Sequence, residues 1–314
     1  MAIWFVGFLA DWLVVLNLLY LLIVMDKRRT EQNMYALILQ VATANQRIRA
    51  VILNGSRANP NNLADAWSDY DIVYMVEDIC SFLSNHAWVD VFGKRIIMQM
   101  PDAMTIEGSI KDKRIFAYLM LFEDGNRVDL TLFPAEKLAT DFKIDSLSAI
   151  LLDKDNIFGN VPLPSDADYL IKPPSEKEFT DCCNEFWWVS AYVAKGLCRG
   201  QLTYAKAMME QPVRAMFMKA IEWYIGADTN FTVPFGIGGK HMKQYLMPDL
   251  YKKILLTYPD ADGERIWEAL LLMATIFSGL MKDIANRLNF IYNIEEEENA
   301  HRYLDDLYSS TKLQ

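Results

Sequence analysis

The stretch that most constrains this chain is Asn54-Gly55-Ser56-Arg57, followed by Asp69-Tyr70-Asp71. A β-type run, Ile48 to Leu53, feeds the Gly-Ser turn, and the second aspartate opens another apolar run, Ile72 to Val76. Side chains alternate faces along a strand, so Asp69 and Asp71 are expected to project the same way. Two neighbouring carboxylates repel unless a cation sits between them, and hard oxygen donors of this kind suit Mg²⁺. A Gly-Ser turn exposes backbone N–H groups and a hydroxyl that can hold a phosphate. The combination reads as a site for a metal-bound nucleoside triphosphate, against the plainer alternative of an Asx-type turn opening a strand.

The rest of the composition narrows the class. With 314 residues, 52% hydrophobic and 23% charged, the chain is globular and long enough for one large or two ordinary domains. A formal charge of −10 counts against a nucleic-acid partner and favours a cationic one. The four cysteines form no C-x-x-C pair and there are three histidines, so a zinc site is not expected. Cys182 and Cys183 read as small buried hydrophobes in a reducing compartment.

Residues 1–25 are almost wholly apolar, interrupted by Asp11 and Asn17 and followed by Asp26-Lys27-Arg28-Arg29. The length suits a membrane anchor, but an acid near the middle of the span is costly. The segment is therefore read as an upstream extension of the reading frame rather than a real anchor. A cytoplasmic protein is expected either way, tethered to the inner face of the membrane if the segment inserts. From Thr30 an amphipathic helix is expected on Met34, Leu37, Ile38, Val41 and Ala42. A short helix near Ile79–Leu83 and a strand from Arg95 to Met100 follow. Then Asp124-Gly125 sits between the apolar runs Tyr118–Phe122 and Arg127–Leu132, a strong hairpin signal. Prolines 162, 164, 173 and 174 mark a linker. Beyond it the pattern is helical over 178–197, 204–225, 241–246, 249–257 and 264–288, the last with Ile266, Leu270, Met273, Phe277 and Leu280 on one stripe. The fold class is thus α+β: a mixed β-sheet with helices over 26–162, then an α-helical bundle domain over 163–314.

Several segments in order also resemble a known family: Arg47–Val51, Asn54–Arg57, Asp69–Tyr74, Asp124–Leu130, Leu151–Asp155 and Cys182–Trp188. They are similar to the aminoglycoside 6-adenylyltransferases of the DNA polymerase beta-like nucleotidyltransferase superfamily, and the likeness runs from about Met25 to near the C-terminus. The resemblance implies transfer of AMP from ATP to the 6-hydroxyl of streptomycin, with Mg²⁺ as cofactor and ATP as co-substrate. It implies Asp69, Asp71 and Asp129 as catalytic metal ligands, the last a third carboxylate that is costly within Val128-Asp129-Leu130 unless paired. Asp129, as the hydroxyl's base or a ligand or both, shares the general-base candidacy with Glu185. Gly55 and Ser56 would hold the β- and γ-phosphates, with Arg57 either adding charge or serving as a structural ion-pair partner.

In the helical half, Asp181, Glu185, Trp188, Tyr192 and Lys195 fall on one helix face. That face is expected to close over the cleft, with Lys195 reaching the triphosphate and Glu185, Trp188 and Tyr192 meeting the cationic antibiotic. The plainer alternative is a solvated face with Trp188 in the core. Gly236-Ile237-Gly238-Gly239-Lys240 lacks the leading glycine of a phosphate-binding loop and reads as a connection between helices. His86, His241 and His301 read as surface residues without partners. Two rival functions share these features: a nucleotidyltransferase acting on RNA or protein, and a membrane-anchored binding protein with a degenerate core.

Overall fold

The structure is a computed structural model that describes residues 28–61, 64–106, 115–137 and 142–312. Its chain divides into two compact units, up to Asp168 and from Tyr169. The segment 1–25, on which the anchor expectation falls, lies outside the described residues. Among the described residues no helix is long and apolar enough to cross a membrane.

The first unit is built on a mixed six-stranded sheet in the order β3-β4-β5-β2-β1-β6. The strands are β1 (Ile48–Asn54), β2 (Tyr70–Val76), β3 (Arg95–Gln99), β4 (Phe116–Phe122), β5 (Arg127–Pro134) and β6 (Ser148–Asp153). Among the described strands only β2 and β5 run parallel; the other pairs are antiparallel. Phe116, Tyr118, Met120 and Phe122 are buried in strict alternation along β4, as the pleat requires. The expected hairpin follows: Gly125 turns with φ +77°, and Phe122 N–H donates to Asn126 O at 2.9 Å.

Helix α1 (Glu31–Ala44) begins where Thr30 accepts a hydrogen bond from Asn33 N–H, and it buries Met34, Ile38 and Ala42 against one sheet face. Tyr74 links the layers by donating its hydroxyl to Ile38 O at 2.7 Å. The opposite face carries a smaller cluster of Ala50, Ile52, Val73, Met75 and Phe133. A short α2 (Ile79–Leu83) follows β2. Strand β6 was not expected from the sequence: Ser-Ala-Ile-Leu-Leu-Asp is a half-buried edge segment without clear alternation.

The second unit is helical. Its elements are α3 (Glu176–Cys198), α4 (Leu202–Met208), α5 (Arg214–Asp228), α6 (Met242–Tyr245), α7 (Pro248–Leu256), α8 (Gly263–Leu288) and α9 (Ile294–Thr311). Ser175 and Glu178 close a capping box at the start of α3, which packs against α4, α5, α8 and α9. Phe186 and Phe277 stack at 3.7 Å in the core, and the whole expected stripe of α8 is buried.

Three sequence expectations need correction here. The single helix over 204–225 is broken by a π-turn at Met209–Val213, because Pro212 cannot donate the usual backbone bond. Helix α9 was missed because its first turn is Glu295-Glu296-Glu297-Glu298, acids that suit a helix N-terminus but hide its apolar stripe. Two of the three histidines do have partners. His86 Nδ1 lies 2.9 Å from the Tyr118 hydroxyl, and His301 packs on Trp187.

Candidate active site

The ends of β1, β2 and β5 bring the expected residues together through register alone. Asn54 pairs with Asp71 across the antiparallel β1–β2 ladder, and Asp71 lies level with Asp129 across the parallel β2–β5 ladder. Neighbouring strands are roughly 4.8 Å apart, so the two carboxylates stand side by side. By alternation they share the face of Val73, Met75 and Phe133, and they emerge where that apolar cluster ends. Asp69 sits one residue before β2 begins. Asn54 is held in turn by Ser148, whose buried hydroxyl donates to its Oδ1 at 2.8 Å.

Gly55 contributes space. Its φ is +73°, and a Cβ built there would lie 2.4 Å from Asp71 Oδ2. Its N–H already donates to Leu147 O at 3.1 Å, so it is not a spare phosphate donor. Ser56 and the residues after it form the short 3₁₀ turn Gly55–Ala58, whose first N–H groups lack intrahelical acceptors.

Arg57 takes the structural alternative. Its guanidinium donates to the carbonyls of Ser68 (2.7 Å) and Asp69 (3.0 Å), pairs with Glu31 at 3.3 Å and stacks 3.8 Å from the Tyr70 ring. With its side chain 5% exposed, it staples the loop before β2 and thereby positions Asp69.

The electrostatics are those of a crowded anionic site. Burial pushes the Asp71 carboxyl up to about 6, reinforced by Asp129 and Asp69 and opposed by Arg127 and Arg57. Burial also lifts Asp69, with Arg127 pulling the other way. Among the described residues no three His, Cys, Asp or Glu side chains converge into a ready metal cage. The donor set of Asp69, Asp71 and Asp129 nonetheless fits a hard divalent cation by chemistry. The cation standing among them is Arg127, which donates to Asp129 Oδ1 at 2.8 Å and Oδ2 at 2.6 Å and lies 3.4 Å from Asp69 Oδ2. Sequence reasoning missed Arg127. The available signal was its spacing of two from Asp129 on one strand, which puts both on the same face.

A second network braces the site from the hairpin. Asp124, though burial would raise it, is held down at about 2 by hydrogen bonds from Arg29 and Asn126. Arg29 Nε donates to it at 2.5 Å, and the buried Asn126 amide donates to Arg29 O at 3.2 Å. These contacts tie the chain entering α1 to the β4–β5 turn.

Glu185, Trp188, Tyr192 and Lys195 all lie on α3 of the helical unit. Trp188 is 63% exposed while its neighbour Trp187 is buried, so Trp188 is not core. Its indole N–H donates to the Tyr192 hydroxyl at 2.8 Å, which gives the face a fixed aromatic pair beside the exposed Glu185. Asp181 is paired with Lys177.

Comparisons with known proteins converge. A family model described as streptomycin adenylyltransferase matches residues 28–307. An aminoglycoside 6-adenylyltransferase of Campylobacter jejuni is 37% identical over 270 residues, covering 86% of this chain and 93% of that protein. One from Bacillus subtilis (strain 168) is 37% identical over 285 residues, covering 90% of this chain and 100% of that protein. One from Staphylococcus aureus is 31% identical over 283 residues, with 90% and 100% covered. Among solved structures, a crystal structure of an aminoglycoside 6-adenyltransferase from Bacillus subtilis matches with 34% identity and a TM-score of 0.44, covering 89% of this chain and 99% of that one.

Proposed function

The chain belongs to the streptomycin adenylyltransferase family, and on that premise we propose that it transfers AMP from ATP to an aminoglycoside, with Mg²⁺ as the metal and the 6-hydroxyl of streptomycin as acceptor. It is a nucleotidyltransferase. The observation that carries the reading is the register that places Asp71 level with Asp129, with Gly55 leaving room for the Asp71 carboxylate.

In this reading Asp69, Asp71 and Asp129 hold the metal, and Ser56 with the following backbone orients the β- and γ-phosphates. Bound Mg²⁺ supplies charge neutralisation of the triphosphate and a template for in-line displacement. Asp129 would take the proton of the acceptor hydroxyl, whose oxygen forms a bond to the α-phosphorus as the bond to the pyrophosphate bridging oxygen breaks. Arg57 holds the loop carrying Asp69 and touches no substrate. On α3, Glu185 offers a carboxylate to a cationic antibiotic, with the Trp188–Tyr192 pair as an apolar wall. Lys195, further along the same face, offers a cation. AMP adds bulk and negative charge to the drug, which inactivates it.

The test is pyrophosphate release by the full chain with Mg-ATP, with and without streptomycin, beside Asp69→Asn. Release that requires both the drug and Asp69 is the expected result. Release with another aminoglycoside but not streptomycin would overturn the choice of acceptor alone. A folded chain that binds no ATP would overturn the reading entirely.

A further inference from the structure

Arg127 and Asp129 alternate onto one face of β5, and the guanidinium folds back to grip both oxygens of that carboxylate. Its remaining nitrogen, Nη1, reaches Asp69 Oδ2 at 3.4 Å. One planar fork therefore bridges two of the three carboxylates and uses the very oxygens a metal ion would need. Arg57 cannot substitute for it, because its guanidinium is committed to backbone carbonyls and Glu31. Arg127 differs in its freedom. Its side chain is 42% exposed on a strand whose backbone is fixed between β4 and β2, so the guanidinium can swing into solvent without disturbing the sheet.

We propose that Arg127 is a displaceable counter-ion for the carboxylate cluster, which releases Asp129 and Asp69 and turns to phosphate oxygens when a metal-bound nucleotide arrives. The inference rests on the reading of Asp69, Asp71 and Asp129 as metal ligands given above. Its logic is an exchange of partners. Clustered carboxylates need a cation, and in this structure the arginine supplies it. A guanidinium fork meets phosphate as well as carboxylate, so handing the carboxylates to a metal costs Arg127 little when phosphate oxygens come with that metal. A metal ion alone must break the fork and leave the guanidinium without an acceptor. The device thus couples metal binding to nucleotide binding, and it makes Arg127 a positioning residue for the empty cluster and a phosphate contact for the filled one.

Mn²⁺ serves as the probe, with bound ion read from the loss of the free-ion electron paramagnetic resonance signal on the full chain. The titration is made without nucleotide and with α,β-methylene-ATP, which cannot be cleaved. Wild type is expected to bind Mn²⁺ weakly alone and much more tightly with the analogue. Arg127→Gln is expected to bind Mn²⁺ alone at least about tenfold more tightly than wild type, since no fork competes for the ligands. That gain should persist at high ionic strength, where a merely long-range charge effect is screened away, and the extra tightening from the analogue should shrink. Arg127→Lys, which keeps the charge without the fork, should fall between the two and carries the test on its own where Arg127→Gln does not fold. An unchanged Mn²⁺ affinity in the nucleotide-free variant, or a gain that vanishes in salt, would overturn the inference while leaving the metal–nucleotide reading intact. Wild type that fails to bind Mn²⁺ even with the analogue would overturn both.

Discussion

Asp71→Asn should stabilise the metal-free protein while abolishing activity. The Asp71 carboxyl is pushed up to about 6 from an ordinary value of 3.8, first by burial at the end of the sheet and then by Asp129 and Asp69. A carboxyl whose folded pKa lies above its unfolded value binds protons in the native state that the unfolded chain has already released. Stability therefore falls as pH rises from about 4 to 6, and the full penalty applies above about 6. A shift of about two units corresponds to ~3 kcal/mol at 1.36 kcal/mol per unit. The side chain keeps partial contact with water, so screening reduces this to ~1–2 kcal/mol. Asparagine has the same shape, fits against Gly55 in the same way and carries no charge. Thermal melts in EDTA at pH 8 should place the variant roughly 2–6 °C above wild type, and the gap should close below about pH 4. Mg²⁺ with nucleotide should reverse the order, because only wild type can use the metal as its counter-charge. A variant that melts below wild type at pH 8, or a gap that survives at acid pH, would refute the argument that this carboxylate is held in electrostatic tension.

Gly55→Ala puts a Cβ 2.4 Å from Asp71 Oδ2 at a φ of +73°; it should lower stability by ~1–3 kcal/mol in chemical denaturation and reduce kcat more than the KM for ATP. Arg214 is buried with its guanidinium on Thr257 O (2.5 Å) and Thr257 Oγ1 (2.6 Å), 3.7 Å from the Tyr258 ring. Arg214→Ala should cost the helical unit ~3–5 kcal/mol, read from its urea midpoint. Tyr74→Phe removes the buried bond to Ile38 O and should cost ~1 kcal/mol by the same measurement. Asp124, held down at about 2, contributes stability that is present above about pH 4 and is lost as pH falls toward 2. Acid unfolding followed by circular dichroism should lose that component in Arg29→Ala.

Legibility in the sequence tracked the strength of local patterns. The alternation of Phe116, Tyr118, Met120 and Phe122 and the Asp124-Gly125 turn encode a hairpin within a few residues, so the strands on either side could be read directly. The placement of Asp129 beside Asp71 follows once that hairpin exists, but only the resemblance to a family assigned it a role, since from the sequence it could equally be a solvent-facing residue on an edge strand, whereas β5 lies inside the sheet. Strand β6 and helix α9 escaped for opposite reasons. The edge strand lacks two distinct faces, and the helix buries a charged residue, Glu297, where an apolar one would have revealed its stripe. That acid is tolerable because Lys282 meets it at 2.9 Å and the Ser278 hydroxyl donates to it, contacts from α8 that no local pattern displays.

The two arginines of the site show why side-chain type says less than surroundings. Arg57 stands next to the Gly-Ser turn and was the natural candidate for phosphate charge, yet three features commit it elsewhere: carbonyls from the loop before β2, Glu31 at the start of α1, and the Tyr70 ring. None of these is adjacent to it in sequence. A guanidinium enclosed in that way has spent its donors and its desolvation on holding a loop, so releasing it for a substrate would cost the loop that carries Asp69. Arg127 lay unremarked in the hairpin, but among the described residues its guanidinium pairs with the carboxylates of Asp69 and Asp129, and it keeps two-fifths of its side chain in water. An enclosed guanidinium anchors, whereas a half-exposed one is free to change partners; on the proposal above, that difference in surroundings is what would let Arg127, and not Arg57, respond to a ligand.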